Sequence, residues 1–226
     1  MRVGVAVPAA GAGRRMGGVR KAFLELGGEP VLVHALRPFL ERDEVVAVAV
    51  ALTPEDAADP PAWLTGLDPR VRVVAGGATR TASVRNAVRS LPPAVTLVAV
   101  HDGARPLVSG EVVARCFEVA ARGEGAVAGC PAVDTLKRTD EDGVVEATVD
   151  RRRFWHAHTP QVFPAGLAFH AYGKAGTDAT DDAALVERSG APVRMVDGGR
   201  WNLKVTRPED LPVAEALLRL RRDGSR

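Results

Sequence analysis

The sequence predicts an α/β protein with a doubly wound, mostly parallel sheet. Three observations carry that prediction. Short valine-rich runs recur along the chain and are nearly continuously apolar rather than alternating, as strands covered on both faces must be. Longer segments with helical spacing of apolar residues separate them. The first run feeds a glycine-rich, basic turn, an element that suits the carboxyl edge of such a sheet.

Residues 3–7 are expected as the first strand, and the turn extends from there to Lys21. Gly11, Gly13 and Gly17 let the backbone approach anionic oxygens, while Arg14, Arg15 and Lys21 bring positive charge. This combination fits a polyphosphate. Similar glycine spacing serves dinucleotide folds, but there the turn passes directly into a helix, and here basic residues and further glycines intervene. The Gly-x-x-x-x-Gly-Lys-Ser/Thr string is missing from the sequence, which argues against a conventional P-loop ATPase.

A helix is expected over 30–40, opened by Pro30 and carrying Val31, Leu32, Ala35, Leu36 and Phe39 on one face. Strands over 45–50 and 71–74 follow. Gly76 and Gly77 then lead into a helix over 79–91 with Val84, Ala87, Val88 and Leu91 as its apolar stripe. With Arg80, Thr81 and Ser83, this stretch suits recognition of a base edge by backbone groups and a hydroxyl; the same residues also make an ordinary helix start. The strand over 95–100 ends in His101-Asp102-Gly103-Ala104-Arg105-Pro106. There Asp102 can meet a sugar hydroxyl, a polyol or a magnesium ion, and Arg105 a phosphate, or the two can pair and order the turn. His101 reads as a buried, supporting residue rather than a general base. Ser109 is placed to cap a helix over 111–121, and 126–130 reads as another strand.

The rhythm changes over 134–153. Asp140-Glu141-Asp142-Gly143 is a turn between extended segments 135–138 and 144–149. A hairpin so charged has little core of its own; it can cover the main domain or project onto a second subunit, and its many charges and few large apolar groups favour projection. Helices are expected over 166–172, 181–188 and 209–220, and short strands over 193–196 and 203–205. Asp181 and Asp182 suit a helix start better than metal coordination. Lys204, set in a short strand rather than a charge run, is placed to approach a phosphate. The Arg-rich stretch 219–226 reads as a solvated helix end.

Composition sets the outer bounds. The chain has 226 residues, enough for one sizeable core. With 30 basic and 28 acidic residues, the formal net charge of +2 does not call for nucleic acid as a partner. No run is long and apolar enough to span a membrane. Cys116 and Cys130 are expected as buried thiols without zinc-site spacing, so a soluble, reducing, cytoplasmic setting is the expectation.

Together these strings resemble the 2-C-methyl-D-erythritol 4-phosphate cytidylyltransferase family. The opening Pro8-Ala9-Ala10-Gly11-x-Gly13-x-Arg15-Met16 indicates only the wider nucleotidyltransferase group. Specificity grows with His101-Asp102-x-Ala104-Arg105-Pro106, Asp134-Thr135, Val149-Asp150-Arg151, Trp155-His156-Ala157-x-Thr159-Pro160-Gln161, Thr180-Asp181-x-Ala183 and Lys204-Val205-Thr206-Arg207-Pro208 in order. The resemblance implies a Rossmann-like nucleotidyltransferase domain over 1–226, with 134–153 as an arm that joins a homodimer and helps complete the partner's site. It implies cytidylyl transfer from CTP to 2-C-methyl-D-erythritol 4-phosphate in non-mevalonate isoprenoid precursor synthesis, with magnesium on the CTP phosphates and no protein metal ligand assigned. Catalytic roles would fall to Arg15, Lys21 and Lys204. Ala9, Ala10, Gly11, Gly13, Gly76, Ser83 and Asp102 would bind the nucleotide. Asp102, Arg105, Thr135, Arg151, Thr159 and Thr180 would surround the acceptor.

Three departures stand out: Arg20 where the family often has Pro before the loop lysine, Gly103 where Ala is usual, and Asp182 where Glu is common. Arg20 would change loop stiffness or add a phosphate contact. A ribitol 5-phosphate cytidylyltransferase is the nearest competing reading, and a Rossmann-type oxidoreductase or a noncatalytic nucleotide-binding protein are the readings from other classes.

Overall fold

The computed structural model describes residues 1–11, 20–173 and 179–224. In chain order its strands are β1 (Val3–Pro8), β2 (Glu25–Leu26), β3 (Glu29–Pro30), β4 (Val45–Leu52), β5 (Val71–Ala75), β6 (Leu97–Val100), β7 (Gly125–Pro131), β8 (Leu136–Thr139), β9 (Val145–Val149), β10 (Trp155–Pro164) and β11 (Val193–Asp197). The helices are α1 (Val31–Leu40), α2 (Pro54–Ala58), α3 (Ala62–Thr65), α4 (Arg80–Ser90), α5 (Gly110–Ala121), α6 (Ala165–Gly173), α7 (Ala183–Glu187) and α8 (Asp210–Arg222).

Seven strands form the central sheet in the order β11-β7-β10-β6-β1-β4-β5. All neighbours pair in parallel except β10, which runs antiparallel between β6 and β7. Alternation along β1 sorts its side chains between two cores. Val3, Val5 and Val7 join Leu36, Phe39 and Phe117 under α1 and α5, whereas Ala6 faces Val84, Val88 and Phe163 on the side of α4 and α6. Phe39, Phe117 and Phe163 are fully buried, and each such side chain contributes about 1.5–3 kcal/mol. Helix starts are fixed locally: Thr79 Oγ1 accepts from Ala82 N at 3.1 Å and Ser109 Oγ from Val112 N at 3.3 Å. Loss of either cap would cost about 1 kcal/mol. Both cysteines are buried and free, and burial pushes the Cys116 thiol up to about 12.

Two expectations need correction. Residues 203–205, expected as a strand, are irregular: Val205 N donates to Ala104 O at 2.8 Å, and this single bond to a loop carbonyl stands in place of a ladder. Conversely, β10 occupies the centre of the sheet although nothing in 155–164 announces a strand. Its polar Thr159 and Gln161 are buried and bonded. Gln161 accepts from Ala183 N at 2.7 Å and donates to Asp181 Oδ2 at 3.0 Å, so its polarity is satisfied inside the fold. The helices α2 and α3 are also unannounced; Pro54 opens α2 and Thr53 Oγ1 caps it, accepting from Asp56 N.

The hairpin β8–β9 forms as expected and pairs Leu136 with Val149 in a sheet of its own. Gly143, at φ +84°, closes its turn in a conformation that favours glycine, and Asp140 Oδ1 accepts from Val144 N at 2.8 Å. Val144 and Val145 are 63% and 56% exposed.

A candidate active site at the carboxyl ends of the parallel strands

β1, β4 and β6 end at one edge of the sheet, and a cavity of about 520 Å³ opens there. Each wall has a structural origin. Ala9, Ala10 and Gly11 continue β1; Ala9 N still bonds to Ala51 O at 2.8 Å, which holds the departing chain beside β4. Gly77 and Thr79 lead into α4, Asp102 and Gly103 leave β6, and Lys21 and Lys204 approach from their own turns. Gly76 stands directly behind the wall. A Cβ there would lie 2.9 Å from both Leu52 O and Ser83 Oγ and closer still to Ala10, so only glycine lets these segments meet.

Asp102 is the electrostatic centre. It is 6% exposed, and three cations converge on it. Lys204 Nζ donates to Oδ2 at 2.8 Å, Arg80 Nε donates to Oδ1 at 3.1 Å, and Arg105 Nε lies 3.5 Å from Oδ2. Burial alone would raise its pKa, but Arg80, Lys204 and Arg105 reverse that effect and hold the carboxyl well below the usual range. Arg80 divides itself between two carboxylates. Its Nη1 and Nη2 donate to Asp182 Oδ1 and Oδ2 at 3.1 and 2.7 Å, a bidentate pair on a carboxylate 1% exposed. Tyr172, the chain's one tyrosine, donates its hydroxyl to Asp182 as well. Asp182 is thus a buried charge partner, contrary to the capping expectation, which Asp181 meets by accepting from Ala184 N at 3.0 Å.

Behind Asp102 the support is polar and buried. Asp102 N donates to Thr159 Oγ1 at 3.0 Å, and the same oxygen lies 3.1 Å from His101 Nδ1. His101 Nε2 lies 3.1 Å from Arg105 O. Burial lowers His101 to about 4, against the opposing pull of Asp102, so the ring is neutral. Arg105 donates to Asn202 O at 2.7 Å, and Asn202 Nδ2 to Thr159 O at 2.7 Å, joining the 101–106 loop to β10 and to the turn before Lys204.

The expected site residues therefore separate into groups. Ala9, Ala10, Gly11, Lys21, Ser83, Asp102 and Lys204 line the cavity together. Ser83 Oγ accepts from Gly77 N at 3.0 Å and donates to Thr79 O at 3.0 Å, so its hydroxyl shapes the wall of the turn. Arg105 and Thr159 are buried behind Asp102. Thr180 is exposed, as are Thr135 and Arg151 at the hairpin, where Arg151 donates to Val133 O; none of these three is among the described residues that line the cavity. Gly13 and Arg15 lie outside the described residues.

The residue whose importance sequence reasoning missed is Arg80. Its signal was available: a cation in the first turn of α4 opposes the helix dipole, a placement that asks for an anionic partner. No group of three or more His, Cys, Asp or Glu side chains among the described residues is arranged to hold a metal ion. Chemically, a glycine-lined strand end with Arg80 and Lys204 on one carboxylate and Lys21 in the same cavity wall suits an anionic ligand that also carries hydroxyls.

A model of the family described as IspD, 2-C-methyl-D-erythritol 4-phosphate cytidylyltransferase, matches residues 3–220. The chain is 45% identical to the 2-C-methyl-D-erythritol 4-phosphate cytidylyltransferase of Symbiobacterium thermophilum over 221 residues, covering 96% of this chain and 92% of that protein. It is similar in structure to the crystal structure of 2-C-methyl-D-erythritol 4-phosphate cytidylyltransferase from Thermus thermophilus, with TM-score 0.80, 38% identity, and 97% and 100% of the two chains covered. It also resembles 4-diphosphocytidyl-2C-methyl-D-erythritol synthase from Anaerococcus prevotii, with TM-score 0.86, 28% identity and 96% of each chain covered.

Proposed function

The chain belongs to the 2-C-methyl-D-erythritol 4-phosphate cytidylyltransferase family, and from that premise we propose how its residues divide the reaction. The activity is transfer of a cytidylyl group from CTP to 2-C-methyl-D-erythritol 4-phosphate, forming 4-diphosphocytidyl-2-C-methyl-D-erythritol and pyrophosphate in the non-mevalonate pathway. This places the chain among nucleotidyltransferases and removes hydride transfer from consideration.

In the step itself a phosphate oxygen of the acceptor forms a bond to the α-phosphorus of CTP. The bond from that phosphorus to the bridging oxygen breaks, and pyrophosphate carries away the electron pair. The attacking oxygen is already ionised at neutral pH, so no side chain need remove a proton. What the chain must provide is orientation and fixed positive charge where charge develops. Lys21 and Arg15 take the β- and γ-phosphates, and Lys204 takes the α-phosphate, exchanging Asp102 for it when the nucleotide arrives. Backbone groups of Ala9, Ala10 and Gly11 face the phosphates and base, a nucleotide-binding role is also assigned to Gly13, the turn shaped by Gly76 and Ser83 reads cytosine, and Asp102 accepts from a ribose hydroxyl. A divalent cation, Mg²⁺ the expected one, would supply charge neutralisation to the triphosphate when bound with CTP. Asp102 is the carboxylate among the described cavity-lining residues, and its three cationic neighbours suit a ligand hydroxyl better than a bare ion.

The acceptor's phosphate and polyol are assigned to Arg105, Thr135, Arg151, Thr159 and Thr180. Thr135 and Arg151 flank the hairpin strands, and the exposed Val144 and Val145 there, with Phe154 46% exposed nearby, favour a homodimer. In it residues 1–226 act as one domain and the 134–153 arm reaches the partner's cavity. A cytoplasmic setting accords with two buried free thiols, and no helix among the described residues is long and apolar enough to cross a membrane.

The convergence of Lys204, Arg80 and Arg105 on buried Asp102 beside the glycine-rich end of β1 carries this reading. Acceptor-dependent pyrophosphate release tests it, with CTP and Mg²⁺ and either 2-C-methyl-D-erythritol 4-phosphate or ribitol 5-phosphate. Release with the first acceptor and little with the second is expected. The reverse preference would reassign the acceptor site.

A further inference from the structure

The turn that carries Lys21 is fastened at two points to the helical excursion after β4, and neither point lies in the cavity wall. Arg20 spreads its guanidinium over two carboxylates of α2: Nη2 lies 3.0 Å from Glu55 Oε2, and Nη1 donates to Asp56 Oδ1. Asp56 is 7% exposed and already oriented, since Thr53 Oγ1 donates to its Oδ2 at 2.7 Å and accepts from its backbone N at 3.2 Å. Further along the same turn, the Phe23 ring meets Trp63 of α3 edge-on, with centroids 5.5 Å apart. Arg20 O accepts from Phe23 N at 3.0 Å, so the clasped residue also caps the single turn in which Lys21 stands first.

We propose that Arg20 is a positioning residue that acts through Lys21: its pairing with Asp56 and Glu55 fixes the turn so that the ammonium is held at the triphosphate. This rests on the reading that Lys21 engages the nucleotide. The physical reason is leverage. A lysine is a point charge on a flexible stem, and its effect on a developing phosphate charge depends on where its backbone is anchored. A displacement of about 1 Å is enough to cost about a hundredfold in rate. The anchor is ionic at Arg20 and aromatic at Phe23, and both grip the same excursion, residues 54–65. Arg20 is not among the described residues that line the cavity and its guanidinium is paired on α2, so in this proposal its charge serves the turn and not the ligand.

The backbone at Arg20 supplies the test. Its φ of −71° and ψ of 102° suit proline, whose ring fixes φ near −65°. Arg20→Pro therefore keeps the turn stiff while deleting the guanidinium, whereas Arg20→Gln deletes the ion pair and stiffens nothing. Steady-state kinetics with CTP and 2-C-methyl-D-erythritol 4-phosphate are measured for both variants, for Lys21→Gln, and for Arg20→Gln combined with Lys21→Gln. Thermal melting of each monitors folding. Arg20→Gln is expected to lower kcat about tenfold with less than about a twofold change in the KM for CTP. Arg20→Pro is expected to recover most of that loss, and in the Lys21→Gln background Arg20→Gln is expected to remove nothing further. Three results would overturn the proposal: full turnover in Arg20→Gln, a loss that adds to that of Lys21→Gln, or an equal rise in the KM for CTP in both Arg20 variants, which would make Arg20 a direct phosphate contact. Should Lys21→Gln itself keep full turnover, the assignment of Lys21 falls and this role falls with it. Should Lys21→Gln be crippled and Arg20→Gln unaffected, the positioning role alone falls.

Discussion

The cavity at the end of β1 and the hairpin β8–β9 are built on opposite principles. Around Asp102 the charges are paired on carboxylates that are themselves buried: Asp102 and Asp182 are 6% and 1% exposed, and half-buried Arg80 and Lys204 donate to them. On the hairpin, exposed Arg138 and Glu146 pair across the strands, an ion pair worth about 0.2–1 kcal/mol, and Lys137 donates to Thr148 Oγ1, while Val144 and Val145 lie open to solvent. On the proposed reading, charge that acts on the nucleotide is preorganised within the protomer, whereas Thr135 and Arg151, assigned to the acceptor, flank an element with little to pack against and would take their position from a second copy.

The comparison is broken most severely by deleting the cavity's cations. Lys204→Ala and Lys21→Ala should each lower kcat by about a hundredfold or more, as loss of a preorganised charge partner does, with melting temperature within about 3 °C of the parent. Turnover near the parent's in both would take the two lysines out of the reaction. Arg80→Gln comes next and acts on both fold and rate. It leaves Asp182 without its bidentate partner, and breaking a buried pair from one side costs about 3–5 kcal/mol. A chemical denaturation midpoint unchanged in Arg80→Gln would contradict the account of Arg80 as the link between two buried carboxylates.

How legible the two regions were from sequence follows from the same contrast. The Val-rich run of β1, the glycines after it and the basic residues that follow are consecutive, so local pattern alone pointed to the end of β1, where Ala9, Ala10, Gly11 and Lys21 line the cavity. The hairpin was equally plain, because Asp140 and Gly143 are turn residues between extended segments. Long-range pairing was what the sequence hid. Thr159 and Gln161 look like loop residues, yet they are buried in a central antiparallel strand because Asp102 N, Ala183 N and Asp181 bond to them. Lys204 resembled a strand residue, and its place is instead set by one backbone bond from Val205 to Ala104 and by its own reach to Asp102. Arg80 and Asp182 lie 102 positions apart, a separation that no periodicity reports.

The smallest expected effect is on stability against pH. His101 is fully buried with its pKa lowered to about 4, against about 6.5 in an unfolded chain. Between those values the unfolded chain binds more protons, so stability is fully present above about pH 6.5 and declines as pH falls toward 4, by about 3 kcal/mol in all. His158, also lowered to about 4 by burial and then by Arg105 and His156, acts in the same direction. Denaturant midpoints at pH 7.5 and 4.5 check this, and His101→Gln should flatten the difference. A midpoint independent of pH across that window would place a charged imidazole where the structure has a neutral one.

The division between cavity and arm is tested most directly by mixing two inactive proteins. Lys204→Ala and Arg151→Ala subunits are assayed separately, then unfolded together, refolded and assayed with CTP and 2-C-methyl-D-erythritol 4-phosphate. If the arm completes the partner's cavity, each mixed dimer has one intact site, and activity reappears at about a quarter of the parent's. A mixture no more active than its components, or an Arg151→Ala protein with the parent's turnover, would contradict it.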